Sequence, residues 1–250
     1  MAANRQSVEL GPFLYGPNAC SYLASEQSAY NVRLLPQMSA ERYQELLSRG
    51  WRRFGWRLFR QKCPTCTQCR GLRLNVAQFR PNRSQRRNLR DNAGLRVVIQ
   101  PPTLTERHLE MYNAFHADMQ IRRGWEGEGI DAAGYGESFL KGGGDWAREF
   151  LYYAGEELVG VGLADVVPAA LSSVYFYHDP RYRSRGLGVF SVLTQWAYCQ
   201  THGLRHQYLG YWIAACPSMA YKSQYEPHEL LAGAPSDAEE PAWYSPVARS

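Results

Sequence analysis

Residues 149–188 read EFLYYAGEELVGVGLADVVPAALSSVYFYHDPRYRSRGLG and decide the fold of this 250-residue chain. Three apolar runs, separated by breaks at Gly155-Glu156 and at Pro168, predict three strands in an antiparallel meander. A helix from Gly188 to His202 and a strand through residues 205–213 follow. Strands in sequence with an intervening helix favour an α+β fold.

The sequence upstream of this stretch has a different character. A helix is predicted from the N-cap Ser39 to about Arg49, and alternating bulky and basic residues predict strands on either side of the cysteines. The polar run NRSQRRNLRDNAG, residues 82–94, is interpreted as a loop, and the polar end of the chain as a disordered tail. The predicted organisation is an N-terminal domain at 1–95, a second domain at 96–231 and a tail at 232–250.

Charge is strongly segregated along the chain. The segment from Arg49 to Arg90 holds 13 of the 28 Lys and Arg residues and none of the 23 Asp and Glu residues. Solvated surfaces normally mix the two signs, so this segment predicts a polyanionic partner such as a nucleic acid. The alternative is a basic lobe that pairs with the acidic remainder of the chain.

Two further observations concern the compartment. No apolar run approaches the roughly 18 residues that a membrane helix needs. The first residues, MAANRQSVELGPFLYG, lack the basic and apolar regions of a secretory signal. We therefore expect a cytoplasmic protein without a membrane partner, in which clustered thiols are reduced and serve metal binding or catalysis.

The six residues from Arg183 to Gly188, RSRGLG, form an RxxGxG pattern. Glycines there allow a tight turn that aims N–H groups at a phosphate before a helix N-terminus, although a plain helix entry has the same letters. Between a strand that ends at Asp179-Pro180 and a long helix, the pattern resembles the core of a GNAT-type acyltransferase. The predicted fold class is therefore α+β, with a GNAT-like core after a Cys-rich and Arg-rich N-terminal domain.

A wider resemblance rests on several short motifs along the chain. They are CSYL (20–23), GWRR (50–53), CPTCTQC (63–69), FRPNRSQRR (79–87), SVYF (173–176), DP (179–180), YLGYWI (208–213), MAYK (219–222) and EPHEL (226–230). Together they resemble the aminoacyl-tRNA–protein transferases, which comprise the arginyl-transferases and the bacterial leucyl-transferases.

The resemblance implies a reaction and its partners. An amino acid would pass from aminoacyl-tRNA to the N-terminal amine of proteins that begin with Asp or Glu, marking them for N-degron proteolysis. The chain departs from the family at FHADM (115–119), where the family has an Arg-His pair and then Gly-Asp-Met. The choice between Leu and Arg stays open at this point.

Four cysteines form a candidate metal site. Thiolates suit tetrahedral zinc or an iron–sulfur cluster, and the resembling family places such a set in its N-terminal region. Burial of one thiol in a packed corner is the alternative, whereas a thioredoxin-like pair is disfavoured because no βαβ unit follows. Cys199 and Cys216 are interpreted as core residues. The predicted ligands are Cys20, Cys63, Cys66 and Cys69.

The candidate catalytic residues follow from the chemistry of aminoacyl transfer. The ester is already activated, so positioning the amine and stabilising the oxyanion are the main requirements. Asp165, at the end of a core strand, could take the ammonium proton or bind the amine. Donors to an oxyanion or to an acidic side chain are Tyr208, Tyr211 and Lys222, with aromatic packing as the rival role for the tyrosines.

The basic candidates divide into two groups. An acidic N-terminal residue needs a cationic pocket, for which a bidentate arginine is best suited, and we select Arg52, Arg83 and Arg87. The tRNA phosphates are assigned to Arg86, Arg183 and Arg185. A solvated, charge-only role is the alternative for each of them.

Two other classes of protein fit parts of the sequence. A CoA-dependent N-acetyltransferase would use the same RxxGxG loop for a pyrophosphate but has no need of the basic segment. A non-enzymatic, zinc-containing RNA-binding protein would explain the cysteines and arginines but leaves the acyltransferase-like half without a role.

Overall fold

The computed structural model describes residues 9–127 and 129–246, which form two β-sheets with helices around the larger one. The strands are β1 Leu10–Ala19, β2 Gln27–Leu34, β3 Arg52–Phe54, β4 Arg57–Gln61, β5 Arg70–Asn75, β6 Arg96–Gln100, β7 Ala147–Ala154, β8 Glu157–Val167, β9 Ala170–His178, β10 His206–Trp212, β11 Glu229–Leu231 and β12 Trp243–Tyr244. The helices are α1 Ala40–Ser48, α2 Arg83–Asp91, α3 Glu106–Arg123, α4 Ala132–Tyr135, α5 Leu187–Thr201 and α6 Pro217–Ala220. A π turn, Gly136–Leu140, continues α4, and 3₁₀ turns lie at Pro180–Arg185 and Tyr221–Gln224.

The larger sheet has the strand order β12-β11-β5-β10-β9-β8-β7-β6. The predicted meander is confirmed, because β7, β8 and β9 pair antiparallel in sequence order. Only β9 and β10 pair in parallel among the described strands, since α5 carries the chain back across the sheet between them. The mixed α+β class is thus confirmed.

The four-stranded sheet β1-β2-β4-β3 lies in the N-terminal part of the chain. The predicted domain boundary at 95/96 does not separate the two sheets, since β5 lies inside the larger sheet between β11 and β10. The N-terminal segment therefore contributes a strand to the predicted second domain, 96–231, rather than standing apart from it.

Opposite faces of the larger sheet carry different partners. Helix α5 covers one face, where Phe190 packs with Phe150 and Tyr152, and α2 packs on α5. Helices α1 and α3 cover the other face, where Trp51 and Tyr208 belong to one cluster with the α1 leucines. The four-stranded sheet also lies on this second face. One face of the larger sheet is therefore covered by α5 and α2, and the opposite face by α1, α3 and the four-stranded sheet.

The basic run predicted as a loop is in fact helix α2. Asn82 caps it, with its side chain accepting from the Gln85 N–H while the Gln85 side chain accepts from the Asn82 N–H. This capping box supplies a helix start that the absence of apolar periodicity concealed.

The chain after residue 231 is also ordered, which corrects the prediction of a disordered tail for 232–246. Strand β12 pairs with β11, and Asp237 forms an ion pair with Arg33 at 2.7 Å. Residues 247–250 lie outside the described part of the chain. None of the helices in 9–127 and 129–246 is both long enough and apolar enough to cross a bilayer.

Candidate functional site

A gap opens where the parallel strands β9 and β10 separate. Their pairing stops at Tyr208 and Ser172, although β9 runs on to His178 and β10 to Trp212. A bulge against β5 at Gly210, whose φ is +82°, turns β10 at this point. Bulges redirect a strand beside functional sites, and here the redirected strand leaves a space between two neighbouring strands.

Aromatic rings from the four-stranded sheet roof this gap. Phe54 contacts Tyr175 of β9 at 6.2 Å between ring centroids and stacks on Phe59 at 5.6 Å. Phe59 in turn contacts Tyr211 of β10 at 6.4 Å. The phenol of Tyr175 is held by a 2.8 Å hydrogen bond with His116 Nε2. The rings thus bridge the two separated strands and give the gap an apolar wall.

Arg52 lies buried on the β10 side of the gap. Its guanidinium sits over the rings of Tyr208 and Tyr211, at 5.5 and 5.4 Å from their centroids, and donates to the carbonyl of Trp51 at 2.9 Å. Its Nε and one Nη have no hydrogen-bond partner among the described residues, although Arg52 is only 6% exposed. A buried cation with free donors and no facing carboxylate is poised to receive an anion.

Lys222 is a second buried cationic side chain beside Arg52. Its Nζ donates to the carbonyl of Tyr211 at 2.7 Å. Burial first, and the nearby Arg52 cation second, lower the pKa of Lys222 from 10.5 to about 7, while Cys216 and Cys69 act in the opposite sense. An amine with a pKa near 7 is half neutral at neutral pH and can accept a proton.

The hydroxyls of Tyr208 and Tyr211, the predicted donors on β10, make different hydrogen bonds. The Tyr211 hydroxyl donates to the carbonyl of Gly50 at 2.7 Å, and the Tyr208 hydroxyl accepts from Arg73 at 3.2 Å. The rings of both tyrosines flank Arg52, but only Tyr211 donates its hydroxyl proton in these bonds, since Tyr208 accepts with its oxygen and retains its own O–H as a donor.

Asp165 has a structural environment, which corrects its assignment as a proton acceptor. Both of its oxygens accept from the buried Arg53, at 2.7 and 3.0 Å, and its side chain is 1% exposed. A carboxylate whose two oxygens are both held in a closed bidentate ion pair is not free to reach a substrate amine. Sequence reasoning missed Arg53 as its partner, because the two residues are 112 positions apart.

The four predicted ligand cysteines converge at the edge of this site. Burial raises the pKa of the Cys69 thiol to about 12, and its neighbours Cys63, Cys20, Cys66 and Cys216 act in the same direction. The donor chemistry fits zinc or an iron–sulfur cluster. As they stand, however, no three His, Cys, Asp or Glu residues in the described ranges lie close enough together to hold a metal ion.

Cys216 is buried, as predicted for a core residue, and it lies near Lys222 and Cys69. Cys199 is a core residue of α5, as predicted.

Helix α2 and the RxxGxG loop form one exposed basic surface on the other side of the larger sheet. The Asn88 amide donates to the carbonyl of Arg185 at 2.9 Å, and Asn92 does the same at 2.9 Å. The exposed arginines on this surface are Arg83, Arg86, Arg87, Arg90 and Arg185. Arg183 is exposed as well and pairs with Asp118 of α3. Arg83 and Arg87, predicted to share a pocket with Arg52, are therefore not brought together with it.

Comparison with known proteins defines the class of the chain. The sequence model "Arginine-tRNA-protein transferase, C terminus" matches residues 107–232, and "Arginine-tRNA-protein transferase, N terminus" matches residues 18–87. The chain therefore belongs to the family of aminoacyl-tRNA–protein transferases, and it is an aminoacyltransferase that uses aminoacyl-tRNA as the donor.

Named relatives resemble the chain over nearly its whole length. An aspartate/glutamate leucyltransferase of Helicobacter hepaticus is 35% identical over 236 residues, covering 94% of this chain and 98% of the relative. One from Halorhodospira halophila is 39% identical over 220 residues, covering 86% and 91%. Among solved structures, FemX matches with a TM-score of 0.42 and 9% identity, over 74% of this chain and 75% of the other.

Proposed function

We propose that this enzyme transfers leucine from leucyl-tRNA to the N-terminal amine of proteins that begin with Asp or Glu. The observation that carries the proposal is the buried pair of Arg52 and Lys222, where neither side chain faces a carboxylate in the described part of the chain. An acidic N-terminal residue brings both an anion for Arg52 and an amine for Lys222. The names of the relatives support the same substrates.

The reaction needs one proton acceptor and a site that excludes water and holds the amine beside the ester. The neutral α-amine attacks the ester carbonyl carbon, so that a C–N bond forms and the carbonyl oxygen becomes an oxyanion. Lys222 takes a proton from the amine. Collapse of the intermediate breaks the bond to the ribose oxygen, which leaves as the 3′ hydroxyl after receiving that proton from Lys222.

The apolar roof of the gap favours leucine over arginine as the transferred group. Phe54, Phe59 and Tyr175 present ring surfaces, which an aliphatic side chain can cover with a gain of about 1.5–3 kcal/mol on full burial. A guanidinium would also stack on these rings, but its burial costs hydration that an aliphatic side chain does not have.

Leucyl transfer and its requirement for an acidic N-terminal residue can be tested in one assay. Purified enzyme, [³H]leucine or [³H]arginine, the matching synthetase and tRNA, and peptides beginning with Asp, Glu or Ala are incubated together. We expect tRNA-dependent leucine in the Asp and Glu peptides only. Arg52→Met should raise the KM for the Asp peptide by about 30-fold or more, as expected for the loss of a charged hydrogen-bonded pair worth 2–5 kcal/mol.

Three results would count against this proposal. Label from arginine would reverse the assignment of the transferred group. Acetylation from acetyl-CoA without tRNA-dependent label would replace it with an acetyltransferase function. An unchanged KM for the Asp peptide in Arg52→Met would remove Arg52 as the carboxylate receptor.

The finer classification of the core is part of the same proposal. The meander β7-β8-β9, the RxxGxG loop, α5 and the gap before β10 support a GNAT-type acyltransferase core behind a Cys-rich N-terminal segment. We expect the enzyme to act in the cytoplasm, where charged tRNA is available, and its products to enter N-degron proteolysis.

The basic surface of α2 and the RxxGxG loop is proposed to bind tRNA phosphates. Its exposed arginines replace counter-ions on the nucleic acid, so tRNA affinity should fall steeply with salt. Arg87→Ala and Arg185→Ala should each make the log–log salt slope less negative by roughly 1. Filter binding of tRNA from low to moderate salt measures this slope. The exposed Arg96 on the sheet edge is the control, since Arg96→Ala should leave the slope unchanged.

The cysteines Cys20, Cys63, Cys66 and Cys69 are proposed to hold zinc or an iron–sulfur cluster, which would cross-link the loops beside Lys222. We expect the purified enzyme to contain zinc or iron, and Cys69→Ser to lose it. Cys199→Ala, in the core of α5, should keep it. Elemental analysis decides the matter, because metal-free wild-type protein or equal metal in Cys69→Ser would refute this ligand set.

A further inference from the structure

The segment 232–246, here called the C-terminal strap, crosses from the larger sheet to the four-stranded sheet. It begins where the match to the C-terminal family model ends, at residue 232. The strap pairs through β12 with β11, and the N–H of Ala232 donates to the carbonyl of Ala242 at 2.9 Å. The strap is thus a closed loop with a defined position, not a trailing end.

A cluster of charges fixes the middle of the strap. Asp237 accepts from both Nη atoms of Arg33, at 2.7 and 2.9 Å, and from Arg42 at 2.9 Å. These hydrogen bonds, those of Arg33 first, lower the pKa of Asp237 to about 2. Arg60 also donates to the carbonyl of Pro235 at 2.7 Å. The strap therefore remains anchored at neutral pH.

The end of the strap places Trp243 beside the carboxylate receptor. Its Nε1 donates to the carbonyl of Ser48 at 3.0 Å, its ring lies 4.2 Å from the Arg73 guanidinium, and it contacts Tyr208 edge-on at 5.5 Å. A Cβ added to Gly71 would lie 3.3 Å from Trp243 and 3.6 Å from the Arg52 Nη that lacks a partner. The indole and the free donor thus lie on the same side of Gly71, each within contact distance of a single methyl group placed there.

We infer that the C-terminal strap determines specificity for the acidic substrate residue, with Trp243 as a positioning residue that closes the wall of the Arg52 site. The indole keeps water from the guanidinium and backs the Tyr208 ring on which Arg52 rests. A guanidinium–carboxylate contact is much stronger where water is excluded. This inference rests on the proposed function, because it concerns the same carboxylate receptor.

The experiment compares steady-state kinetics of strap variants with Asp and Glu peptides at varied leucyl-tRNA. Trp243→Ala should raise the KM for both peptides about tenfold, on the scale of an impaired charged hydrogen bond. Its kcat and its KM for leucyl-tRNA should stay within about threefold, because the tRNA surface lies on the other side of the sheet. Trp243→Phe should restore most of the affinity for the peptides.

Asp237→Asn loosens the strap without touching the Arg52 site, and it should also raise the KM for the Asp and Glu peptides. Tyr244→Phe, which removes only the exposed contact with Arg70, is the matched control and should behave as wild type. An unchanged KM for both peptides in Trp243→Ala overturns the inference. So does an equal fall in kcat with both KM values constant, which signals a purely structural role. Inactive wild-type enzyme would instead contradict the proposed function.

Discussion

Lys222→Met is expected to lower kcat/KM for leucyl transfer by about 10²–10⁴, the usual contribution of a positioned general base. Lys222 remains available as a base, because among the described residues its Nζ donates only to the carbonyl of Tyr211 and to Met219 Sδ. Methionine has a similar length but cannot take a proton. The effect should fall on kcat, with the KM for leucyl-tRNA little changed.

The pH profile distinguishes a base from a fixed cation. Free Lys222 is neutral above its pKa of about 7, so wild-type kcat/KM should rise with pH through that value. A second rise should follow the peptide amine, at about 7.7–8.0. In Lys222→Met only the amine titration should remain. A profile in which the limb near pH 7 persists in the variant would assign that limb to another group.

Lys222→Arg provides the matched variant, since arginine is always protonated. If Lys222 acts as a neutral base, arginine should be as inactive as methionine. Rescue by arginine would show that Lys222 stabilises an anion instead.

The lowered pKa of Lys222 also makes the stability of the protein depend on pH. Its folded pKa lies below the unfolded value of 10.5, so the unfolded state binds more protons between about pH 7 and 10.5. Wild-type stability should therefore rise with pH across that window relative to Lys222→Met. Urea denaturation at both ends of the window measures the difference.

Local sequence patterns predicted the elements that consist of long apolar runs between turn residues. The meander and α5 are such runs, so β7, β8, β9 and the helix lie where predicted. Helix α2 lacked that signal, because the only buried side chain within it is Gln85. Its start was instead encoded in the spacing of Asn82 and Gln85, a capping box inside a basic run.

The site was less predictable because its decisive contacts join distant residues. The strap reads as disordered, yet Asp237 is bound by Arg33 across 204 positions. The motif GWRR places Arg52 and Arg53 side by side, and nothing in the letters shows that only Arg53 meets a carboxylate. An arginine that can bind a substrate carboxylate and one that forms a structural ion pair have the same side chain, and only the neighbouring residues in the fold distinguish them.

Substitution of Arg53 is expected to have the second large effect, on the free energy of unfolding. Arg53→Met should destabilise the enzyme by about 3–5 kcal/mol, because it leaves Asp165 as a buried, uncompensated carboxylate. Guanidinium chloride or urea denaturation measures the loss in the free energy of unfolding. The double variant Arg53→Met/Asp165→Leu should recover much of it, since the removal of both charges leaves no unpaired ion.

Arg52→Met is the matched substitution at the next position, and the opposite result is expected. Arg52 has no ion-pair partner in the described ranges, so its removal eliminates a buried charge that folding must desolvate. Its two hydrogen bonds to backbone carbonyls and its contacts with two tyrosine rings offset part of that cost, at about 1 kcal/mol each. Stability should therefore change by no more than about 1–2 kcal/mol, while the KM for acidic peptides rises by about 30-fold or more. If Arg52→Met unfolds as readily as Arg53→Met, Arg52 supports the fold and the carboxylate must bind elsewhere.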